Sequence, residues 1–476
     1  MLKKKVDWPA RTRRNALIAD VVGGFKHKGG FEQKEGAGPE PRQEAIGNSG
    51  DIWVAGRIIG ILDGGFVLQD ESGRMDILYR EEVAAGDTVE IKVSVEERVG
   101  EGGFAYKVFV AAEIGLLAKC TEEYFIRKSD PNWKRGVVDL SVKEKLKTRS
   151  LIVAKTRDFF VEKGFTEVDT PAMVMLPGME PHLDPFKTRL VTQAYESLPA
   201  GDIDAYLITS PEYAMKKLLA GGWEKIFQVT KSFRNRETAG HLHNPEFTML
   251  EWYRAYADYR DIMEDTEELV NGLAKRFCGS EEVTFSNFRI NMALPFERKK
   301  VSELFEECAG IGAETLTDRD ALYGAATEKG YKISKSAPYE DIFYTVFLNE
   351  IEPQLGIMKP VVVFDYPKQM GALAKKSGED PRFVERFELY IGGMELCNAF
   401  TELNDPVEQE ARLEEERQMR QKMGKETYQV DQSFIGALRF GMPPSGGNAL
   451  GMDRLAMVLT NTADIRDIMY FPLKDL

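Results

Sequence analysis

The chain has 476 residues, of which 43% are hydrophobic and 29% charged, the composition of an ordinary globular protein with room for about three domains. It has no apolar run long enough for a membrane span, and no apolar stretch follows the basic start MLKKKVDW to make a signal peptide. A net charge of −14 gives no support for a broad nucleic-acid-binding surface. The four cysteines (Cys120, Cys278, Cys308, Cys397) lack metal or disulfide spacing and read as reduced thiols of a cytoplasmic protein.

In chain order, residues 1–50 read as a basic arm followed by a flexible linker, GAGPEPRQEAIGNSG, rich in glycine, proline and polar residues. Residues 51–120 then carry five strand-like runs: IWVAGRIIGI, FVLQD, RMDILY, TVEIKVSVE and AYKVFV. Val89, Ile91, Val93 and Val95 alternate as a half-buried strand should. Five short strands in this space predict a small all-β barrel of the oligonucleotide-binding (OB) type. Asp130–Ser150 reads as a charged connector. From Leu151 a helix follows, with Ile152, Phe159 and Phe160 on one face and Gly164 closing it. Beyond it strands (FTEVDTP, IFQVTKSF, FTMLEWY, VVVFDYP, RFELYIGGMELCNAF) are interspersed with helices at Tyr259–Phe277, Val407–Lys425 and Gly451–Thr460. Residues 130–476 are therefore expected to form an α+β domain around an antiparallel sheet.

The densest chemistry lies in Ser232–Tyr253, SFRNRETAGHLHNPEFTMLEWY. Arg234, at a strand end beside Glu237, has the permanently charged fork that suits an α-phosphate under attack, although most isolated FRN matches are surface arginines. Downstream, His243 suits a triphosphate tail and Phe247 can stack under adenine. Glu388, Glu395 and Glu402 recur at intervals of seven, and carboxylates bunched this way call for cations: hydrated Mg²⁺ with substrate phosphates, or a substrate ammonium. Glu212 and Glu251 would add acids suited to an amine-bearing substrate. Arg454, in GGNALGMDRL, could reach a γ-phosphate, with Gly446, Gly447 and Gly451 letting backbone approach a nucleotide. The four histidines show no HxxxH zinc spacing, and the glutamate-rich helix Val407–Lys425 reads as a solvated face.

Together these segments resemble the class II aminoacyl-tRNA synthetases of the lysine, aspartate and asparagine subclass. GFTEVDTP is similar to motif 1, FRNRE…HNPEFTMLEWY to motif 2 and GGNALGMDRL to motif 3. The resemblance implies a catalytic domain built on a six- to seven-stranded antiparallel sheet, preceded by the OB-like barrel, and a homodimer closed through motif 1. Within the subclass ELCNAFTELNDP is similar to the lysyl branch. By that resemblance Glu212 holds the α-amino end of lysine, Glu251, Tyr253 and Glu402 the far ammonium, and Asn398 positions the substrate. Glu388 and Glu395 would bind Mg²⁺ with ATP. Arg234, Glu237, His243, Phe247 and Arg454 would serve the nucleotide, Arg234 and Arg454 as the catalytic pair; the extra residue in FRNRETAGHLHN leaves Arg236 and Glu237 as alternatives for the motif 2 glutamate.

A narrower group, the elongation factor P (R)-β-lysine ligases, resembles TSPEYAMKKLLAGG, HLDPFKTRL, MLEWYR and GMPPSGGNALGMDRL. Ala449 stands where lysyl-tRNA synthetases usually carry glycine, and its methyl would favour an amino group displaced by one carbon. That group normally lacks the barrel. The barrel here has RMDI, with Asp76 in place of a base-reading glutamine, while Phe66 and Gln69 stay in family-like places. Residues 51–119 hold seven basic and thirteen acidic residues, a net of −6 that opposes RNA binding. The expectation is activation of lysine or (R)-β-lysine as an adenylate and its transfer to a lysine side chain of elongation factor P. The alternatives are charging of tRNA(Lys) and a non-catalytic, binding or regulatory paralogue.

Overall fold

The computed structural model describes residues 16–19, 21–22, 52–79, 82–99, 105–121, 124, 126–127, 129–136, 139–192, 201–237 and 240–476. The expected linker at 36–50, and most of the expected basic arm, lie outside them. The chain divides into two compact units, residues 1–140 and 141–476.

In the first unit, β1 (Ile52–Leu62), β2 (Gly65–Gln69), β3 (Arg74–Leu78), β4 (Thr88–Val99) and β5 (Ala105–Ala118) close into a barrel in the order β1-β2-β3-β5-β4. Closure removes the free sheet edges that five short strands would otherwise expose. Val89, Ile91 and Val93 face the core as their alternation predicts, although Glu90 between them is buried too. Ile18 and Val21 pack into the same core as Ile58, Leu68 and Ile77. Phe66 is fully buried there, its ring edge-on to Tyr79 at 6.1 Å. Gln69 is also buried and accepts a hydrogen bond from Arg74 Nε at 2.8 Å. Neither side chain is therefore displayed as a base-reading group.

The second unit is built on one eight-stranded sheet. Its strands are β6 (Thr166–Glu167), β10 (Lys225–Phe233), β11 (Glu246–Ala255), β14 (Glu297–Lys300), β15 (Val361–Pro367), β16 (Phe383–Ile391), β17 (Met394–Thr401) and β18 (Ser445–Gly451). They run in the order β14-β15-β16-β17-β18-β11-β10-β6. Two small sheets flank it, β12 (Glu282–Phe285) with β13 (Phe288–Asn291), and β7 (Met173–Val174), β9 (Gly201–Leu207) and β8 (Lys187–Thr192). The expected antiparallel core is present, but each edge pair is parallel, β6 with β10 and β14 with β15. The run RFELYIGGMELCNAF is two strands joined at Gly392 and Gly393, whose φ values of 60° and 75° suit a tight primed turn that side chains resist.

Two expectations need correction. Leu140–Ser150 is not a connector; the helix runs from Leu140 to Glu162, with Val142, Leu146 and Ile152 on its buried face, and Arg149 between them donates to Asp453 at 2.7 Å. The helix Pro406–Lys422 is not wholly solvated either. Arg420 is 1% exposed and donates to the carbonyls of Glu180 at 2.7 Å and Leu183 at 2.8 Å, tying down the loop between them. The helix Tyr259–Cys278 opens on Asp258, which caps the backbone of Arg260 and Asp261, and packs its apolar face under the sheet.

Candidate active site

The sheet register assembles the site. Glu388 pairs with Asn398, Asn398 with Ala449, Ala449 with Glu251 and Glu251 with Gln228, so one rung crosses β16, β17, β18, β11 and β10. The adjacent rung on the same face carries Phe400, Gly447 and Tyr253. Side chains on the other face enter the core: Trp252 is fully buried, 5.1 Å from Phe160, and cannot reach a ligand on the rung beside it. Glu395 and Asn398 are three apart and would point to opposite faces of a regular strand. A bulge in the β16–β17 ladder at Leu389/Tyr390 restores both to the cavity side.

Above these rungs lies a cavity of about 470 Å³. It is lined by Glu212, Arg234, Glu237, His243, Phe247, Glu251, Tyr253, Glu388, Glu395, Asn398, Glu402, Ala449 and Arg454, and by Gly447 and Gly451; Gly446, expected beside them, is not in the lining, and a side chain there would meet Ile262 and Asp258 instead. One end is cationic and aromatic. The Arg234 guanidinium lies 5.2 Å from the centre of the Phe247 ring, and its buried Nε takes no partner among the described residues. Arg454 donates to the Glu395 carbonyl at 2.8 Å and to His243 Nε2 at 3.0 Å. Because arginine only donates, that His243 nitrogen is an acceptor. Glu237 turns into the cavity 3.9 Å from Arg234, whereas Arg236, at φ 67°, points outward and is 78% exposed near Asp184. Of the two alternatives, Glu237 is the one that faces the cavity.

The other end is acidic. Glu251 accepts from Ser210 Oγ at 3.0 Å and from Tyr253 Oη at 2.5 Å. Burial first, and then repulsion from Glu212, pushes the Glu251 carboxyl up to about 8. Burial likewise pushes Glu402 up to about 8, against the opposing pull of Lys216. Glu212, at the start of the helix Glu212–Ala220, reaches Lys216 one turn later at 2.5 Å, and Lys216 reaches Glu402 at 2.5 Å.

Glu388 lies at the β16 end of the rung, and Glu395 lies beside Arg454. Glu388 is buried and engaged on both oxygens, by Arg386 at 2.5 Å, Tyr366 at 2.6 Å and Tyr390 at 2.5 Å. Arg386 also donates to Asn398 at 3.0 Å. The Glu395 carboxyl is held above the usual range by burial and then by Glu388. Glu352, which has no motif around it, is pushed up to about 7 by burial and then by Glu395 and Glu388. Among the described residues no cluster of three ligands could enclose a metal ion. Two carboxylates lining one cavity, Glu388 and Glu395, do fit Mg²⁺, which binds through one or two carboxylates and completes its shell with water and phosphate.

Sequence reasoning missed Lys216, Arg386 and Glu352. The first two were in view: Lys216 is four residues after Glu212 on one helix, and Arg386 two before Glu388 on one strand, each on the face of its partner.

Residues 135–475 match the family "tRNA synthetases class II (D, K and N)". The chain is 36% identical over 445 residues to "Lysine--tRNA ligase" of Pelotomaculum thermopropionicum, covering 89% of this chain and 86% of that protein. It is 35% identical over 443 residues to the protein of the same name from Carboxydothermus hydrogenoformans, covering 89% and 88%. A third, from Magnetococcus marinus, is 35% identical over 444 residues, covering 88% and 86%.

Proposed function

Because the chain belongs to the class II tRNA synthetases of the aspartate, lysine and asparagine group, ATP-dependent ligases, we propose that it activates lysine and charges tRNA(Lys). The observation that carries the amino acid is the acidic end of the cavity, where Glu212, Glu251 and Glu402 converge on a space closed by Tyr253. Cationic side chains occupy the opposite end, which suits a triphosphate. Lysine, with two ammonium groups and one carboxylate, fits between them.

In the first step a lysine carboxylate oxygen attacks the α-phosphorus of ATP, forming lysyl-adenylate and releasing pyrophosphate. Arg234 stabilises charge on the phosphoryl oxygens, Phe247 carries the adenine ring, and Arg454 with His243 receives the outer phosphates. Glu395 and Glu388 would hold Mg²⁺, which supplies further charge neutralisation on the phosphates when bound. No protein nucleophile is needed. In the second step a terminal ribose hydroxyl of tRNA attacks the adenylate carbonyl; the ester forms as the bond to AMP breaks.

The expected transfer to elongation factor P loses ground to tRNA. The relatives that match along both barrel and catalytic domain are named for lysine and tRNA, and none of these names supports a protein acceptor. Ala449 remains the observation that favours β-lysine, since it lies on the substrate rung between Glu251 and Asn398. We place the enzyme in the cytoplasm as a homodimer; no helix among the described residues is long and apolar enough to cross a membrane.

The test offers total tRNA and purified elongation factor P in parallel, with ATP, Mg²⁺ and either lysine or (R)-β-lysine. Lysine on tRNA, detected as acid-precipitable label, is the expected result. Modified elongation factor with uncharged tRNA would overturn the acceptor.

A further inference from the structure

Three carboxylates meet at the acidic end of the cavity, from three separate elements. Glu212 opens the helix Glu212–Ala220, Glu251 lies in the middle of β11, and Glu402 follows β17. Glu251 and Glu402 are each 1% exposed. Charges this close in a place that excludes water repel one another, and each must meet a cation or take up a proton. One cation is built in. Lys216 is completely buried, and its ammonium lies 2.5 Å from Glu212 Oε1 and 2.5 Å from Glu402 Oε2. The rings of Phe400 and Phe434 cover the same ammonium, with centres 5.1 Å and 5.9 Å away. Glu402 Oε1 takes no hydrogen bond from any described residue, and it stands 2.5 Å from where a side chain on Gly447 would begin. That oxygen is buried in the wall of the cavity that Glu402 lines.

Resting on the lysine reading above, we infer that Lys216 is a positioning residue that supplies one of three positive charges the amino-acid pocket requires, so that only a substrate bringing two more leaves it neutral. With all three acids ionised, as in a complex with lysine, they leave a net of two negative charges once Lys216 is counted, and lysine carries two ammonium groups. An amino acid with an uncharged tail supplies one. Lys216 thereby acts on selectivity through Glu212 and Glu402, whose oxygens it spans and holds apart, without touching the substrate. The groups facing this cluster are Tyr253 beside Glu251, and Glu180 and Glu416 on the outer side of Glu212. The two outer groups are acids, so neither could replace the Lys216 charge.

The experiment is lysine-dependent exchange of pyrophosphate into ATP, measured from pH 6 to 9 on wild type, Lys216→Met, Glu212→Gln and the double variant. If wild type shows no lysine-dependent exchange, the lysine reading itself falls. With wild type active, Lys216→Met is expected to raise KM for lysine about tenfold at pH 7 and to move the acid limb of kcat/KM up by about one pH unit, because a proton takes the place of the lost ammonium. KM for ATP should stay within about twofold, since the nucleotide end keeps its groups. Glu212→Gln should raise KM for lysine in wild type and lower it in the Lys216→Met background, where it removes the surplus charge. An unmoved acid limb, or a Glu212→Gln effect of the same sign in both backgrounds, overturns the inference. Should Lys216→Met not fold, Lys216→Arg keeps the charge: an acid limb at the wild-type position supports the role, and a displaced one overturns it.

Discussion

Replacing Gly447 with alanine should close the amino-acid pocket. Gly447 lies on the central strand β18, paired with Tyr253 on one side and Phe400 on the other. A Cβ there would sit 2.4 Å from Tyr253 Cε1 and 2.5 Å from Glu402 Oε1, closer than real contacts allow. Neither neighbour can swing clear: Tyr253 is hydrogen-bonded to Glu251, and Glu402 is paired with Lys216 in the core. Overpacking of this kind costs about 1–3 kcal/mol. If most of that cost falls on the lysine complex, KM for lysine rises about tenfold to hundredfold. KM for ATP should change by less than about twofold, because Arg234, Phe247 and Arg454 keep their places. Pyrophosphate exchange with lysine and ATP varied in turn measures both. A folded Gly447→Ala enzyme with an unchanged KM for lysine would refute this placement of the substrate.

Other expected outcomes follow from the same geometry. Arg234→Ala should cut lysine-dependent pyrophosphate exchange by at least about a hundredfold while the melting temperature holds, since the guanidinium faces cavity and not core; ordinary exchange would defeat its assignment to the α-phosphate. Ala449→Gly should raise the use of α-lysine relative to (R)-β-lysine, and an unchanged ratio would remove Ala449 as a specificity residue. Glu251 and Glu402 are raised to about 8 in the folded chain, so the native state binds protons that the unfolded chain has released. Stability of the free enzyme should therefore fall as pH rises from about 4.5 to 8. Lysine supplies the missing charge, so its stabilising effect in thermal unfolding should be larger at pH 8 than at pH 6. Equal effects at both would contradict the buried-acid account.

Much of the site was legible because SFRNRE, FTMLEWY and ELCNAFTEL resemble family motifs, and that resemblance implied roles for their acids and arginines. Strand spacing by itself placed only pairs such as Glu251 with Tyr253 and Asn398 with Phe400, two apart and so on one face. What stayed hidden has physical reasons. The edge strand Glu297–Lys300 is ERKK, without an apolar residue, and its pairing with Val361–Phe364 comes from its neighbour and not from any pattern of its own. The start of the helix at Leu140 was masked by charges on its solvent face. Lys216 went unremarked because periodicity cannot show that a buried ammonium has two carboxylates waiting for it. The bulge that turns Glu395 into the cavity depends on register with β16, which one strand alone cannot reveal. The placing of Phe66 followed a resemblance, while its burial follows from the closure of the barrel around it.

The order of the sheet has a temporal side. β18 is the last of the eight strands along the chain, yet it lies between β17 and β11 in the middle of the sheet. A ribosome making this protein therefore releases Glu212, Glu251, Glu388, Glu395 and Glu402 before the strand that joins their two halves exists. Until residues 445–451 emerge, β14–β17 and β11–β10–β6 share no rung, and β17 and β11 each lack the neighbour that β18 provides. A nascent chain thus holds every acid of the pocket and none of its shape. The central rung of the cavity is complete only when a single seven-residue strand joins the two halves of the sheet, a late and long-range step of folding.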